Sequence, residues 1–213
     1  MISRFRRYAR EHGLAAALGK AAGELRSKVF SEMQITVLLK DLDAVNEPRR
    51  TSGLEVVPLT EAHLGGLSEL NRSRGRSSVD RRFRANLERG LQGFVGLRDG
   101  VTVGYYWWVR GEDAGLHPDL AWLGESLQIE PGDVYGSDFY ILPEYREGGT
   151  ANEFLYRLES AIAADGYHRI WGYVESGNRQ ARWLYSSRGY QPMGDLSTRK
   201  LLFFARKAAP RHE

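Results

Sequence analysis

The 213-residue chain has no cysteine. Disulfides, thiolate metal sites and a cysteine nucleophile are therefore excluded. The five histidines are scattered and form no H-E-x-x-H pattern, so no metal is expected. No run of about 18 apolar residues occurs, so no transmembrane helix is expected. Glu11 and Glu24 interrupt the stretch after the basic start. With no signal-peptide pattern, a cytoplasmic location is expected. Net charge is only +3. Residues 1–30 hold seven Lys or Arg against two Glu, which leaves −2 for the other 183 residues. A body this close to neutral is not a general nucleic-acid surface, and no nucleic-acid partner is expected.

The composition is that of a folded chain, 42% hydrophobic and 27% charged. Residues 3–29 read as a helix, with Phe5, Tyr8, Ala15, Leu18, Ala22, Leu25 and Val29 on one face and arginines around the rest. Residues 33–42, MQITVLLKDL, read as a strand. The polar stretch NEPRRTSG, 46–53, reads as a linker, so 1–50 form a basic extension and 51–213 the main domain. From Leu54 the order is β-α-α-β-β-β-α-β-α-β. Asp99-Gly100 makes a hairpin turn, and one final strand runs through STRKLLFFAR. Residues 111–133 are a loop or short helical insert.

The stretch PEYREGGTANEF, 143–154, joins a strand to a helix. Unpaired N–H groups and the helix dipole make such a junction hospitable to phosphate. Gly148 and Gly149 let the backbone come close to a ligand, and Arg146 adds a cation. It is neither a P-loop nor a G-x-G-x-x-G turn. Arg146, Gly149 and Ala151 spell R-x-x-G-x-A after Ile141-Leu142-Pro143. Further on, 178–190 read N-x-x-A-x-x-L-Y-x-x-x-G-Y through Asn178, Ala181, Leu184, Tyr185, Gly189 and Tyr190. In both motifs, and in element order from Leu54 to about Arg206, the chain resembles the GNAT superfamily of acyl-CoA-dependent N-acyltransferases. Glu147 departs from the pattern, since many members have glycine there, and its carboxylate must point away from phosphate.

The resemblance implies an α/β fold with a mixed, centrally splayed sheet flanked by helices, carrying the N-terminal helix-plus-strand extension. It implies acetyl-CoA as acyl donor and a small-molecule amine acceptor such as an amino sugar or amino acid derivative. By the same resemblance the turn Arg146, Glu147, Gly148, Gly149, Thr150, Ala151 and Asn152 holds the pyrophosphate. Tyr140 and Ile141 meet the pantetheine arm through main chain, in a strand where the family carries a bulge. Asn178 touches the cofactor while capping its helix, and Tyr185 protonates the departing thiolate. Direct attack is expected, without an acyl-enzyme.

Other readings stay open. Asp138, the only acid in the strand VYGSDFYIL, is either a base or the partner of an arginine, with Glu125, Glu130 and Glu175 in reserve. YYWWV, 105–109, either stacks on an acceptor or fills the core on both sheet faces. His117 and Trp122 either border the acceptor or sit in an ordinary surface loop. The basic helix 3–29 packs as a structural arm, lies on an anionic membrane surface, or docks an acidic partner such as an acyl carrier protein. Two functions compete with acetyl transfer: long-chain acyl transfer from a carrier protein, and a CoA-binding module without turnover. Nothing in the sequence fixes the oligomeric state.

Overall fold

The computed structural model describes residues 30–47, 52–73, 79–123, 127–201 and 204–207. The expected helix over 3–29 lies outside the described residues, as does Glu125. Contacts divide the chain into Thr36–Gly194 and a second unit of Met1–Ile35 with Asp195–Glu213. The strands are β1 (Phe30–Asp41), β2 (Glu55–Pro58), β3 (Gln92–Arg98), β4 (Val101–Arg110), β5 (Asp133–Ile141), β6 (Arg169–Glu175), β7 (Gln191–Leu201) and β8 (Phe204–Lys207). The helices are α1 (Leu64–Ser73), α2 (Val79–Glu88), α3 (Leu120–Leu123), α4 (Thr150–Ala164) and α5 (Arg179–Ser187). Among the described residues no helix is long and apolar enough to cross a membrane.

In the unit Thr36–Gly194, which holds β1 only from Thr36 and β7 only as far as Gly194, the strands lie in the order β2-β3-β4-β5-β6-β1-β7. β2 to β5 are antiparallel neighbours, and β5 pairs with β6 in parallel. The antiparallel part follows from short links. Asp99 and Gly100 both take positive φ, as a two-residue hairpin turn requires. The parallel pair needs a crossover, which α4 supplies.

One sheet face packs on α4. Phe154, Leu155, Leu158 and Ile162 form its buried stripe, against Tyr106, Trp108, Val134 and Ile141. Each such side chain contributes about 1.5–3 kcal/mol on burial. The other face takes Tyr105 and Trp107, with Phe83 of α2 edge-on to both rings at 4.8 and 5.3 Å. YYWWV is therefore core on both sides.

In the second unit the end of the chain differs from expectation. A single strand over 197–206 was expected. Instead β7 and β8 form an antiparallel ladder from Thr198↔Lys207 to Leu201↔Phe204. Pro192 and Gly194 hid the early start of β7, because both residues argue against a strand.

Two features shape the middle of the sheet. The β5–β6 ladder has three pairs and stops at Tyr135↔Trp171, although the strands run on to Ile141 and Glu175. The next residue on each strand is a glycine, Gly136 and Gly172. Beside this fork β5 carries an extra residue. Tyr105 faces Tyr140 and Trp107 faces Ser137, so Tyr106 alone is opposed by Asp138 and Phe139. Asp138 takes φ 47° in this bulge.

Candidate functional site in the fork of the sheet

An open cleft of about 870 Å³ lies where β5 and β6 part. Gly136–Ile141 form one wall and Trp171–Glu175 the other. Arg146 and Ala151 close one end, and α5 lends Asn178, Trp183, Leu184 and Tyr185. The two sequence motifs, 27 residues apart between Ala151 and Asn178, thus meet across one opening. Trp183 is 72% exposed at its lip.

The turn before α4 is built by its glycines. Gly148 has φ 70° and Gly149 φ 89°, a left-handed pair that delivers the chain into α4. Nothing lies within 4 Å of a Cβ placed on Gly148. Arg146 is held at the cleft, where its Nε donates to the Ile141 carbonyl at 2.9 Å and its guanidinium lies 5.3 Å from the Tyr140 ring centre. Tyr140 and Ile141 line the wall above it. Glu147 is exposed and outside the lining. Thr150 is fully buried and its hydroxyl donates to the Glu147 carbonyl at 3.0 Å, so only its main chain remains for a ligand. Asn152 also lies outside the lining, with Oδ1 buried and lacking a hydrogen-bond partner.

Asn178 caps α5, accepting the Ala181 N–H at 3.1 Å while it lines the cleft. Tyr185 lies under the same helix, packed edge-on to Tyr190 at 4.9 Å. Burial pushes its phenol pKa well up, and the nearby Glu159 carboxylate adds to that. Glu159 is fully buried and ion-paired with buried Arg188. Tyr106 belongs to the same floor and also lines the cleft.

Asp138 is paired with an arginine: its Oδ2 accepts Arg82 of α2, and the Tyr105 hydroxyl at 3.3 Å. Glu130 is paired with Arg169 at 2.7 Å and is not in the lining, whereas Glu175 is exposed and lines the cleft. His117 is not a surface residue. It is 6% exposed, with Nε2 2.9 Å from Ser137 Oγ. Sequence reading missed Ser137, and it named Tyr106 only within YYWWV, without placing it at the cleft. Ser137 stands in no motif and is singled out only by what the fork places next to it. Among the described residues no group of three or more His, Cys, Asp or Glu is placed to hold a metal ion.

The comparisons show the family and the fold. The profile of the Acetyltransferase (GNAT) family matches residues 66–190. An uncharacterized N-acetyltransferase of Mycobacterium tuberculosis is 28% identical over 101 residues, 47% of this chain and 53% of that one. The chain thus spans about half the length of the curated relatives it matches. Two solved structures share the fold. One is a GCN5-related glucosamine N-acetyltransferase region of a fungal multi-domain β-N-acetylglucosaminidase (TM-score 0.60, 14% identity, 84% of this chain and 22% of that one). The other is a GNAT-family acetyltransferase structure from Novosphingobium aromaticivorans (TM-score 0.51, 16% identity, 85% of this chain and 69% of that one). Since the family profile covers more than half of its residues, the chain belongs to the GNAT acetyltransferase family.

Proposed function

We propose that the protein transfers an acetyl group from acetyl-CoA to a primary amine of a small molecule by direct attack. The observation that carries this reading is the fork itself. The β5–β6 ladder stops at Tyr135↔Trp171, and the opening beyond it is bordered by both the Arg146–Ala151 turn and Asn178. The residues present fit acetyl-CoA: a glycine turn with open space at Gly148, a cation at Arg146, and a long cleft of suitable size. Bound there, the thioester supplies an activated acyl group.

This chain's residues do the rest. Arg146 and the N–H groups from Glu147 to Asn152 hold the pyrophosphate. Tyr140 and Ile141 hold the pantetheine arm through their main chain, and Asn178 steadies it from α5. Asp138, with Oδ2 committed to Arg82 and Tyr105, uses Oδ1 to take the proton from the attacking amine. The Tyr185 hydroxyl gives a proton to the departing sulfur. With no cysteine in the chain, no thiol nucleophile intervenes.

The acceptor class we infer is an amino sugar or amino acid derivative. The fold shared with a glucosamine N-acetyltransferase region supports the first. The test is thiol release from acetyl-CoA with a panel of such amines, each product confirmed by mass spectrometry. Release with one group of amines and none without amine is the expected result.

A further inference from the structure

His117 and Ser137 form a hydrogen-bonded pair that the reaction above does not use. His117 lies just after the 3-10 turn Gly111–Leu116, buried against Tyr135, whose ring meets it edge-on at 5.0 Å. Its Nδ1 accepts the Asp119 backbone N–H at 3.1 Å. A ring nitrogen that accepts carries no proton, so the neutral imidazole keeps its proton on Nε2. Nε2 therefore donates to Ser137 Oγ at 2.9 Å.

The ring stays neutral near pH 7. Burial pushes its pKa down. The Asp119 carboxylate, 3.9 Å from Nδ1, and that of Asp138 pull it up, and Arg82 of α2 opposes them. Two consequences follow. A protonated Nε2 cannot take the serine's proton, so the pair is not a nucleophile and its base. And Ser137 Oγ, with a lone pair filled by His117, has its own proton to give. Among the described residues His117 is the hydrogen-bond partner of Ser137 Oγ, and Ser137 lines the cleft.

We propose that His117 is a positioning residue that holds the Ser137 hydroxyl as a hydrogen-bond donor to the acceptor substrate, selecting primary amines that carry a neutral hydrogen-bond-accepting oxygen, a hydroxyl or carbonyl. The neutral oxygen follows from charge. With Asp138 paired to Arg82, the Asp119 carboxylate leaves one net negative charge near His117, which disfavours a further carboxylate at this end of the cleft. The frame is stiff, because Asp119 also accepts the Tyr135 hydroxyl of β5 at 3.3 Å and bonds the Tyr173 phenol of β6. One residue thus ties both strands beside the fork.

The inference rests on the acyl-transfer reading for placing the acceptor here, so its test reads binding as well as turnover. The full-length protein, saturated with acetyl-CoA, is assayed with ethylamine, 2-aminoethanol and glycine. The wild type favours 2-aminoethanol over both others in kcat/KM. Ser137→Ala and His117→Leu lower the 2-aminoethanol to ethylamine ratio about 3- to 30-fold, the worth of a hydrogen bond to a group that is otherwise left unpaired. His117→Gln, whose amide N–H can replace the Nε2 donor, restores part of it. CoA affinity checks that each variant is folded. An unchanged ratio in Ser137→Ala, or glycine as the best of the three, overturns the proposal. Calorimetry of the same amines on the CoA-loaded protein separates the two claims. If no amine turns over, acyl transfer fails, while the Ser137 assignment stands or falls on whether the wild type alone binds 2-aminoethanol more tightly than ethylamine.

Discussion

The Tyr106 hydroxyl occupies the space that a side chain on Gly136 would need. Tyr106 rises from β4 beneath the first residue of β5 beyond the last β5–β6 pair. Glycine at that point lets a phenol reach the fork, and Gly172 opposite lets β6 approach, with a Cβ there meeting the Gly136 carbonyl at 3.2 Å.

Gly136→Ala is accordingly expected to destabilise the protein by about 1–3 kcal/mol, the usual cost of overpacking a well-filled core. Tyr106→Phe does not relieve it, because a ring carbon also crowds the site. Tyr106→Leu combined with Gly136→Ala costs less than the two changes added together. Urea unfolding of the four proteins checks this, and simple additivity contradicts the contact.

Arg146→Ala removes the cation that the Ile141 carbonyl and the Tyr140 ring hold at the cleft. CoA binding is expected to weaken about 10- to 100-fold, the range of a charged hydrogen bond. Pantetheine, which lacks the pyrophosphate, binds both proteins alike. Calorimetry with both ligands decides. Equal losses for CoA and pantetheine would mean that Arg146 does not read phosphate.

Much of this site was legible because its signals are local. R-x-x-G-x-A and N-x-x-A-x-x-L-Y each lie within one turn or one helix, and the positive φ at Gly148 and Gly149 is what a glycine pair before a helix announces. The fork was not legible in residue terms. Whether a strand keeps its partner depends on a neighbour 36 residues away, as with Tyr135 and Trp171. Asp138 shows the same limit: its partner Arg82 lies 56 residues earlier on a helix whose surface role the sequence leaves open. For His117 the sequence left an acceptor border and an ordinary surface loop both open, because the 3-10 turn before it has no periodicity to reveal what is buried.

Glu153 links the start of the main chain path to α4. It is almost fully buried and accepts the N–H and hydroxyl of Ser52, together with Arg157 one turn on at 2.8 Å. Burial pushes its carboxyl pKa up, but these partners push it down by more, leaving it below the ordinary value of 4.5. A lowered acid stabilises the fold above its unfolded value and loses that contribution as pH falls through the folded one. Glu153→Gln should therefore lower the melting temperature at pH 7 and narrow the gap to wild type on acidification below about pH 4.5. A gap that stays constant with pH would remove the carboxylate from the account.

Tyr185→Phe removes one hydroxyl and is expected to leave packing intact. Turnover falls about 100- to 10,000-fold, the usual worth of general-acid help, with little change in CoA affinity. Burial and Glu159 hold the phenol pKa above the ordinary value near 10, so it remains a proton donor throughout the neutral range and beyond. Wild-type kcat therefore shows no alkaline fall assignable to Tyr185 below about pH 10. A fall centred nearer neutrality that disappears in Tyr185→Phe would contradict this, as would wild-type turnover in the variant.

The central claim is that the fork binds acetyl-CoA and passes its acetyl group to an amine. Its most direct test is mass spectrometry of amine products after incubating the full-length protein with acetyl-CoA and a mixture of amino sugars, amino acid derivatives and simple amines. The account predicts an N-acetylated primary amine, formed in step with released thiol and formed about 100- to 10,000-fold more slowly by Tyr185→Phe. CoA binding by the folded protein with no acetylated product from any amine would contradict it.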